Sequence, residues 1–371
     1  MAGSPLVVGV DARELTGRPT GTGRYLRSLL RHWREGGDRF VLYFDREPPP
    51  DPVLDHPSLR RRVVPAGGSG LAWQQRALPA AAAGDGLDVF FSPAYTCPWR
   101  LPVPRVTAVH DLSYFAWPQD FSFLDGLRRR LTVRWSLAAS AAVVVCSDFT
   151  RRELARLFPA VAPRARLAPL GPDEDLAPAP ARTPARARLG LTGPLVLSTG
   201  TVLNRRCAPE LLRAVARLRT AHPSLVLDLA GENRTEPRID LDGLVQRLGL
   251  GSRVRLSGFV DEAGLADRYA AADVAVSLSE YEGFGLPALE ASARGVPLVA
   301  ARAPSLGEIF GATALLVDPR DEGAIAAALH RVLTDAPLAA RLRDAGHGLA
   351  ARHSWARTAA LTREALAEAA A

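Results

Sequence analysis

The sequence predicts an α/β fold of two doubly wound parallel sheets, each covered by helices. The chain has 371 residues, which is too long for one ordinary domain. Short apolar runs alternate with amphipathic stretches twice along it, a pattern typical of parallel strands joined by crossover helices. Hydrophobic residues make up 47% of the chain, enough to give each half its own core. Ligands of such sheets bind at the carboxyl ends of the strands.

The first half contains six strand-like segments separated by helical ones. The strands are predicted at 6–10, 40–44, 62–65, 88–92, 105–110 and 142–147, with helices at 22–34, 71–83 and 124–139 among the segments between them. Thr150 and Glu153 have the spacing of a capping box, which predicts a helix that begins there.

A proline-rich stretch separates the halves, and the alternation then restarts. The later strands are predicted at 195–199, 225–230, 254–259, 274–278, 298–301 and 314–317. We therefore predict a first domain at 1–175, a linker at 176–190 and a second domain at 191–352. The last residues, 353–371, are predicted to form a helix that packs back on the first domain.

Charge is uneven along the chain. All 46 basic residues are arginine, and residues 1–190 have a net charge of +8 against −1 for residues 191–371. A basic first half is suited to an anionic membrane or an acidic acceptor, and residues 125–135 group four arginines with apolar side chains. A helix with a solvated basic face is the alternative, and the pattern alone favours it over a membrane-facing stretch. Nucleic acid is not expected, because no basic patch is interleaved with aromatic residues.

Other compositional features limit the class of protein. The three cysteines lack metal or redox spacing, and an odd number argues against a disulfide framework. The start of the chain does not resemble a signal peptide, and no apolar stretch is long enough for a membrane span. These features predict a cytoplasmic protein without a metal site.

The densest group of candidate residues follows the strand at 274–278. Gly283 and Gly285 allow the backbone to approach a ligand closely, and Pro287 suits the first turn of a helix. Gly295 and the proline after it predict that this helix ends near Arg294.

The amides of Phe284, Gly285 and Leu286 would then lie at a helix N-terminus, where they can hold a diphosphate. Glu290, one turn further, is placed to accept hydrogen bonds from a ribose. A plain strand-to-helix turn, with Glu290 complementing the helix dipole, is the alternative interpretation.

Glu282 and Glu290 lie in the segment EGFGLPALEASARG. It resembles the E-x7-E signature of the retaining family 4 glycosyltransferases, which have the GT-B fold of two Rossmann-like domains facing each other across a cleft. Further segments match in order: DARELTGRPTGTGRYL, AVHDLSY, STGTVLNRRCAPELL, GFVDEAGLADRYAAADV, ALLVDP and HSW. The resemblance spans essentially the whole chain.

The resemblance implies an enzyme that moves a sugar from a nucleotide-sugar donor to a glycan or lipid-linked acceptor, with retention of anomeric configuration. It implies no metal ion and no other cofactor. The opening segment is most similar to bacterial mannosyl- and rhamnosyltransferases of surface-polysaccharide synthesis, which favours GDP-mannose. The first domain would take the acceptor, with peripheral contact at the inner face of the membrane, and the second would take the nucleotide.

The resemblance also assigns roles in the first domain. Gly21 and Gly23 would turn backbone amides toward the donor diphosphate or the acceptor, although a plain turn explains them as well. His110 would contact hydroxyls of the donor sugar. Asp111 beside it can orient His110 or cap the next loop.

In the second domain, Arg205 and Arg206 would clamp the diphosphate, with Thr201 beside them in the donor site. Glu282 would bind hydroxyls of the transferred sugar. The catalytic set is thus His110, Glu282 and Arg206. The family usually has lysine where Arg206 stands, and asparagine or glycine where Cys207 stands.

Two other functions remain open. One is another GT-B enzyme, an epimerase or a sugar phosphorylase, but a phosphorylase needs a pyridoxal lysine and this chain has no lysine. The other is a non-catalytic two-domain protein that binds nucleotide sugars. The two glutamates, His110 and the arginine pair argue against it.

Overall fold

The computed structural model describes residues 4–17, 20–65, 67–174 and 180–371. The chain divides into two compact units. The first takes in Met1–Ala116, Phe123–Gly171 and Ser354–Ala371, and the second takes in Trp117–Ser122 and Pro172–His353.

The first unit is built on a seven-stranded parallel sheet with the order β3-β2-β1-β4-β5-β6-β7. Its strands are β1 (Val7–Asp11), β2 (Arg39–Phe44), β3 (Leu59–Val63), β4 (Val89–Ser92), β5 (Arg105–Val109), β6 (Ala142–Val145) and β7 (Ala165–Leu167). The central strands are almost wholly buried because helices cover both faces, whereas the edge strand β3 exposes Arg60 and Arg61.

Within the described ranges, the first unit has six helices before residue 171. They are α1 (Gly21–Trp33), α2 (Gly70–Ala72), α3 (Leu78–Ala82), α4 (Ser113–Ala116), α5 (Phe123–Ala139) and α6 (Asp148–Leu157). A π-helical turn, Trp73–Ala77, joins α2 to α3. The N-cap of α6 is Ser147, whose Oγ accepts from the Thr150 amide at 3.0 Å. The capping box predicted at Thr150 is therefore wrong.

The second unit has a six-stranded parallel sheet with the order β10-β9-β8-β11-β12-β13. Its strands are β8 (Leu195–Thr199), β9 (Val226–Ala230), β10 (Val254–Leu256), β11 (Val274–Ser277), β12 (Leu298–Ala301) and β13 (Ala314–Val317). Its helices are α7 (Arg182–Arg188), α8 (Ala208–Arg217), α9 (Leu241–Arg247), α10 (Glu262–Ala271), α11 (Leu286–Ala293), α12 (Pro304–Phe310), α13 (Glu322–Thr334) and α14 (Ala336–Ala350).

Helix α7 lies where the proline content predicts a linker. Pro184 is tolerated because the amides of a first helical turn have no intrahelical acceptor. Asp273 accepts hydrogen bonds from Arg182 at 2.5 Å and Arg186 at 3.2 Å, which fixes α7 to the second unit. Residues 180–190 of the predicted linker are thus part of a folded unit, and residues 176–179 lie outside the described residues.

The last helix, α15 (Trp355–Ala370), belongs to the first unit. Trp33 Nε1 donates to the Ala359 carbonyl at 2.8 Å, and Arg363 donates to both carboxylate oxygens of Asp38 at 2.8 and 3.1 Å. Trp355 is fully buried. A helix from the end of the chain therefore completes the core of the first unit, whose first strand, β1, begins at Val7.

In each sheet the strand order reverses beside the first strand of that sheet. β1 lies between β2 and β4, and β8 lies between β9 and β11. Ligands of doubly wound sheets bind outside the carboxyl ends of the strands at this point. The loops after β8 and β11 contain most of the residues that the sequence predicts to be functional.

Candidate functional site

The loop after β11 turns directly into α11. Gly285 is the N-cap with φ +92°, and a Cβ there would lie 2.6 Å from Leu306 Cδ2, so the position requires glycine. Pro287 lies in the first turn, and Gly295 follows the helix with φ +68°. The predicted helix, with its end near Arg294, is confirmed.

The first turn of α11 has no side-chain cap. The Ala288 amide donates to the Gly285 carbonyl at 3.0 Å. Within the described part of the chain, the amides of Phe284, Gly285 and Leu286 make no backbone or side-chain hydrogen bond. Such amides, together with the helix dipole, form a site suited to an anion.

An ion pair joins the loop after β8 to the loop after β11. Arg206 Nε donates to Glu282 Oε1 at 2.9 Å, and the two side chains are 22% and 14% exposed. Burial raises the pKa of Glu282, but the charges of Arg206 and Arg205 outweigh burial and hold that pKa below its usual range. Glu282 is therefore a carboxylate at neutral pH.

Gly200 places the Arg206 guanidinium beside the first turn of α11. Its φ is +95°, and a Cβ there would lie 2.5 Å from Arg206 Nη1 and 3.4 Å from Pro287 Cγ. Any side chain at this position would displace the guanidinium. Thr201, the next residue, is half-buried in the same loop. A cation and a helix N-terminus are thus neighbours at the switch point, an arrangement suited to a diphosphate.

Arg205 differs from its neighbour. Its Nη1 donates to Asp120 Oδ2 at 3.0 Å and its Nε donates to the Tyr281 carbonyl at 3.1 Å. The Arg205 and Asp120 side chains are 8% and 4% exposed. The Arg205 guanidinium therefore joins Trp117–Ser122 to the loop after β11. Contact of Arg205 with the donor stays a prediction.

Arg320 is a residue that the sequence analysis missed. It donates to both carboxylate oxygens of Glu280, at 2.9 and 2.5 Å, and to Glu210 at 2.8 Å. The Glu280 amide in turn donates to the Arg205 carbonyl at 2.8 Å. These bonds fix Glu280, which lies two residues before Glu282 in the loop after β11. Arg320 comes directly after the matched segment ALLVDP, three residues past the end of β13, and this position near a strand end is the signal that could have found it.

Glu290 lies inside the second unit, with 4% of its surface exposed. Its Oε2 accepts from the Tyr269 hydroxyl at 3.1 Å, and that hydroxyl lies 3.0 Å from Thr199 Oγ1. Tyr269 could not be found from the sequence, because nothing in its local pattern indicates a partner on another helix. Contact of Glu290 with a ribose stays a prediction.

His110 follows β5 in the first unit. Its Nε2 lies 2.8 Å from the Pro93 carbonyl, which can only accept, so Nε2 carries the proton and Nδ1 is an acceptor in the neutral ring. Burial lowers the pKa of His110 and outweighs the opposing effects of the Pro93 carbonyl and Asp111. The Tyr25 and Tyr95 rings pack edge-on against it at 4.7 and 5.7 Å.

The structure also distinguishes between interpretations left open above. Asp111 accepts from the Ser113 amide and hydroxyl at 2.9 and 2.7 Å, so it caps the next turn. Gly21 and Gly23 lie in the first turn of α1 and not in a loop before it.

The Gly23 amide donates to Thr20 Oγ1 at 2.9 Å. A Cβ on Gly23 would lie 2.7 Å from the Glu14 carbonyl oxygen. Close packing and the helix cap therefore explain Gly23, and the prediction that its amide faces a ligand is not supported. A ligand role for Gly21 stays a prediction.

Within the ranges that the structure describes, no three histidine, cysteine, aspartate or glutamate side chains form a group that could hold a metal ion. None of the described helices combines the length and hydropathy needed to cross a bilayer. The cysteines Cys97, Cys146 and Cys207 are buried free thiols.

Comparison with known families matches two adjoining parts of the chain. The model described as "Glycosyltransferase Family 4" matches residues 19–176, and the model described as "Glycosyl transferases group 1" matches residues 182–348.

Relatives and solved structures agree with these matches. The chain is 34% identical over 259 residues to O-antigen chain mannosyltransferase B of Escherichia coli, which covers 67% of this chain and 65% of the relative. It is 34% identical over 236 residues to a glycogen synthase of Mycobacterium tuberculosis, which covers 62% of this chain and 54% of the relative. The chain thus spans between half and two thirds of the length of these curated relatives. A sucrose-phosphate synthase structure from Thermosynechococcus elongatus superposes with a TM-score of 0.77 at 25% identity, over 97% of this chain and 98% of the other. This chain belongs to family 4 of the glycosyltransferases, which have the GT-B fold.

Proposed function

We propose that this chain is a glycosyltransferase that moves a sugar from a nucleotide-sugar donor to a glycan or lipid-linked acceptor with retention of anomeric configuration. The observation that carries this proposal is the Arg206–Glu282 pair beside the first turn of α11. A cation next to uncapped amides suits a diphosphate, and a carboxylate suits sugar hydroxyls. Family membership supports the same reaction class.

In the proposed reaction, the bond between the anomeric carbon and the diphosphate oxygen breaks. The acceptor hydroxyl oxygen bonds to that carbon on the same face, and its proton passes to the leaving phosphate. Arg206 and the amides of Phe284, Gly285 and Leu286 stabilise the charge that develops on the leaving group. Because these groups already oppose that charge, we propose that no metal ion or other cofactor takes part.

Three residues position the donor in this proposal. Glu282 accepts hydrogen bonds from hydroxyls of the transferred sugar, and Glu290 accepts from the ribose. Neutral His110 contributes Nδ1 as an acceptor for a sugar hydroxyl, since its Nε2–H is held by the Pro93 carbonyl.

GDP-mannose is the donor we propose first. The similarity to a mannosyltransferase supports mannose. The similarity to a glycogen synthase and to a sucrose-phosphate synthase is the reason to test donors of other hexoses beside it. We also propose that the protein acts in the cytoplasm with peripheral contact at an anionic membrane, where a lipid-linked acceptor would be held. The net charge of +8 over residues 1–190 supports that contact.

The test is a thermal-shift screen of the purified chain against GDP, UDP, dTDP and ADP. The matching nucleotide sugar is then tested for transfer, and the anomer of the product is assigned by NMR. A ligand that binds only the folded state raises Tm. We expect one nucleotide to do so, Arg206→Ala to lose most of the shift, and the exposed control Arg247→Ala on α9 to keep it. The proposal fails if none of the four nucleotides shifts the wild type, or if both variants respond alike.

A further inference from the structure

One side of α5 exposes a continuous apolar surface. The structure exposes seven large hydrophobic side chains among the described residues, and five of them are on this helix: Phe123, Leu124, Leu127, Leu131 and Trp135. Residues three and four apart are neighbours on a helix, so these five side chains form one stripe. Phe123 and Leu124 are more than three quarters exposed, at 76% and 77%. We call these five residues the α5 stripe.

The α5 stripe is separate from the core-facing side of the helix. The opposite side buries Gly126, Val133, Ser136 and Leu137 against the first sheet and its neighbours. The helix thus already has the apolar face that packing requires, and the α5 stripe is a second one. A contiguous exposed apolar surface of this kind marks an interaction site.

Arginines lie among and beside the α5 stripe. Arg128 and Arg134 are exposed and Arg130 is half-buried, whereas Asp125 is the one acidic residue of the helix. Asp125 accepts from Arg128 at 2.7 Å and from Arg129 at 2.6 Å. Four arginines against one aspartate give α5 a net charge of +3.

Trp135 lies at the C-terminal end of the α5 stripe. Its ring packs edge-on against Trp99 at 4.8 Å, and Trp99 Nε1 donates to Ser136 Oγ at 3.2 Å. Two indole rings are thus held together at one end of an apolar, basic surface. Tryptophan is the residue that favours the boundary between lipid and water.

We propose that the α5 stripe inserts into the headgroup region of an anionic lipid bilayer, with Arg128, Arg130 and Arg134 contacting lipid phosphates. Apolar residues bordered by arginine are the composition of helices that lie in a membrane interface. A second copy of the chain is the poorer occupant, because a two-fold contact would bring the same three arginines against their own counterparts. This inference rests on the proposed function only for its purpose, which is access to a lipid-linked acceptor.

Residues 125–135 group arginines with apolar side chains in the sequence, and the structure shows which of these side chains are exposed. Arg128 and Arg129 both bond Asp125, but Arg129 also lies over the Tyr114 ring at 5.3 Å and is the arginine held most fully within the protein. Burial of apolar side chains is not screened by salt, whereas exposed charges are. Binding should therefore weaken but persist as salt rises.

The experiment is flotation of the full chain with phosphatidylcholine vesicles, with and without phosphatidylglycerol, at low and high salt. We expect binding to the anionic vesicles. The triple variant Leu124→Gln/Leu127→Gln/Leu131→Gln should lower the partition coefficient about tenfold or more. Phe259→Gln, which changes an exposed aromatic residue in the second unit, should leave it unchanged. Tryptophan emission should shift to the blue on binding, and Trp135→Phe should lose most of that shift.

Arg128→Gln/Arg130→Gln/Arg134→Gln should weaken binding and remove its salt dependence. The inference is overturned if the leucine triple variant binds like the wild type, or if the wild type ignores anionic vesicles. It is also overturned if the α5 stripe proves to be a dimer contact, seen as a wild-type dimer that the leucine variant converts to a monomer. The nucleotide thermal shift is measured on the same samples. Vesicle binding without any nucleotide shift would contradict the proposed sugar transfer and leave this inference standing. A nucleotide shift without vesicle binding would contradict this inference and the membrane contact proposed above, and leave the sugar transfer standing.

Discussion

Removal of the Arg206 guanidinium affects two interactions at once. In the unliganded protein it pairs with Glu282 at 2.9 Å, and in the proposed reaction it opposes the leaving diphosphate. Arg206→Ala therefore loses a cation at the leaving group and leaves Glu282 with the more distant charge of Arg205. The pKa of Glu282 should rise in this variant, because burial is then less opposed. If the reaction needs the carboxylate, the acid limb of the pH profile of kcat should move to higher pH.

The size of the effect follows from the burial of the pair. At 22% and 14% exposure, Arg206 and Glu282 lie between a surface ion pair and a fully buried one. Loss of one preorganised contact to developing charge costs about 2–4 kcal/mol of transition-state stabilisation. The value of kcat/KM should therefore fall roughly 30- to 1000-fold. Arg206→Lys keeps the charge without the planar fork and should recover part of this loss.

Glu282→Gln is the complementary test. It releases Arg206 from its partner, so the Kd for the nucleoside diphosphate should stay the same or fall while kcat falls. An assay of the released nucleotide measures kcat and KM, and isothermal titration calorimetry measures Kd. Our reasoning is refuted if Arg206→Ala and Arg206→Lys are equally active, or if Glu282→Gln weakens diphosphate binding as much as Arg206→Ala does.

Three further changes test other residues. Glu290→Ala should raise the Kd for the nucleotide in calorimetry, with Tyr269→Phe as the milder control, and an unchanged Kd would contradict the ribose contact. Arg205→Met should lower the free energy of unfolding, measured in urea, by about 3–5 kcal/mol, because the buried Asp120 carboxylate loses its partner. Adding Asp120→Asn to the same chain should restore part of this stability. A loss below about 1 kcal/mol would contradict the structural role of Arg205. Burial lowers the pKa of folded His110 below its unfolded value of about 6.5, so protonation favours the unfolded state. The wild-type unfolding free energy should fall more steeply than that of His110→Asn below about pH 6.5 and run parallel above it, and parallel curves throughout would count against the lowered pKa.

Features set by local chemistry could be predicted from the sequence. The alternation of strands and helices follows from apolar periodicity, and the extent of α11 follows from Gly285, Pro287 and Gly295. Helix α7 could not be predicted, because its arginines are held by Asp273, which is about 90 residues further along the chain. Proline content alone favoured a linker there.

Ion pairs between residues that are far apart in the chain could not be predicted from the sequence. Arg205 and Asp120 are 85 residues apart, and Arg320 and Glu280 are 40 apart. Such pairs form only when the fold brings the loops that carry them side by side. Arg205 is singled out by its motif, but its partner Asp120 and the cation Arg320 are not, because no local pattern indicates these ion pairs.

The adjacent arginines show how one turn produces two roles. Asn204–Arg206 form a 3-10 turn, in which successive side chains diverge by about 120° because there are three residues per turn. One guanidinium is therefore directed to Asp120 and the next to Glu282. The turn passes into α8 through Cys207, which is buried in the left-handed region at φ +50°. Asparagine and glycine, the residues that the family usually has there, adopt this region at the least cost, whereas another residue loses about 1–2 kcal/mol. In the sequence, Arg205 and Arg206 are two adjacent like charges. The geometry of the turn gives them different roles: Arg205 holds the loop, and Arg206 is the arginine that we propose to contact the donor.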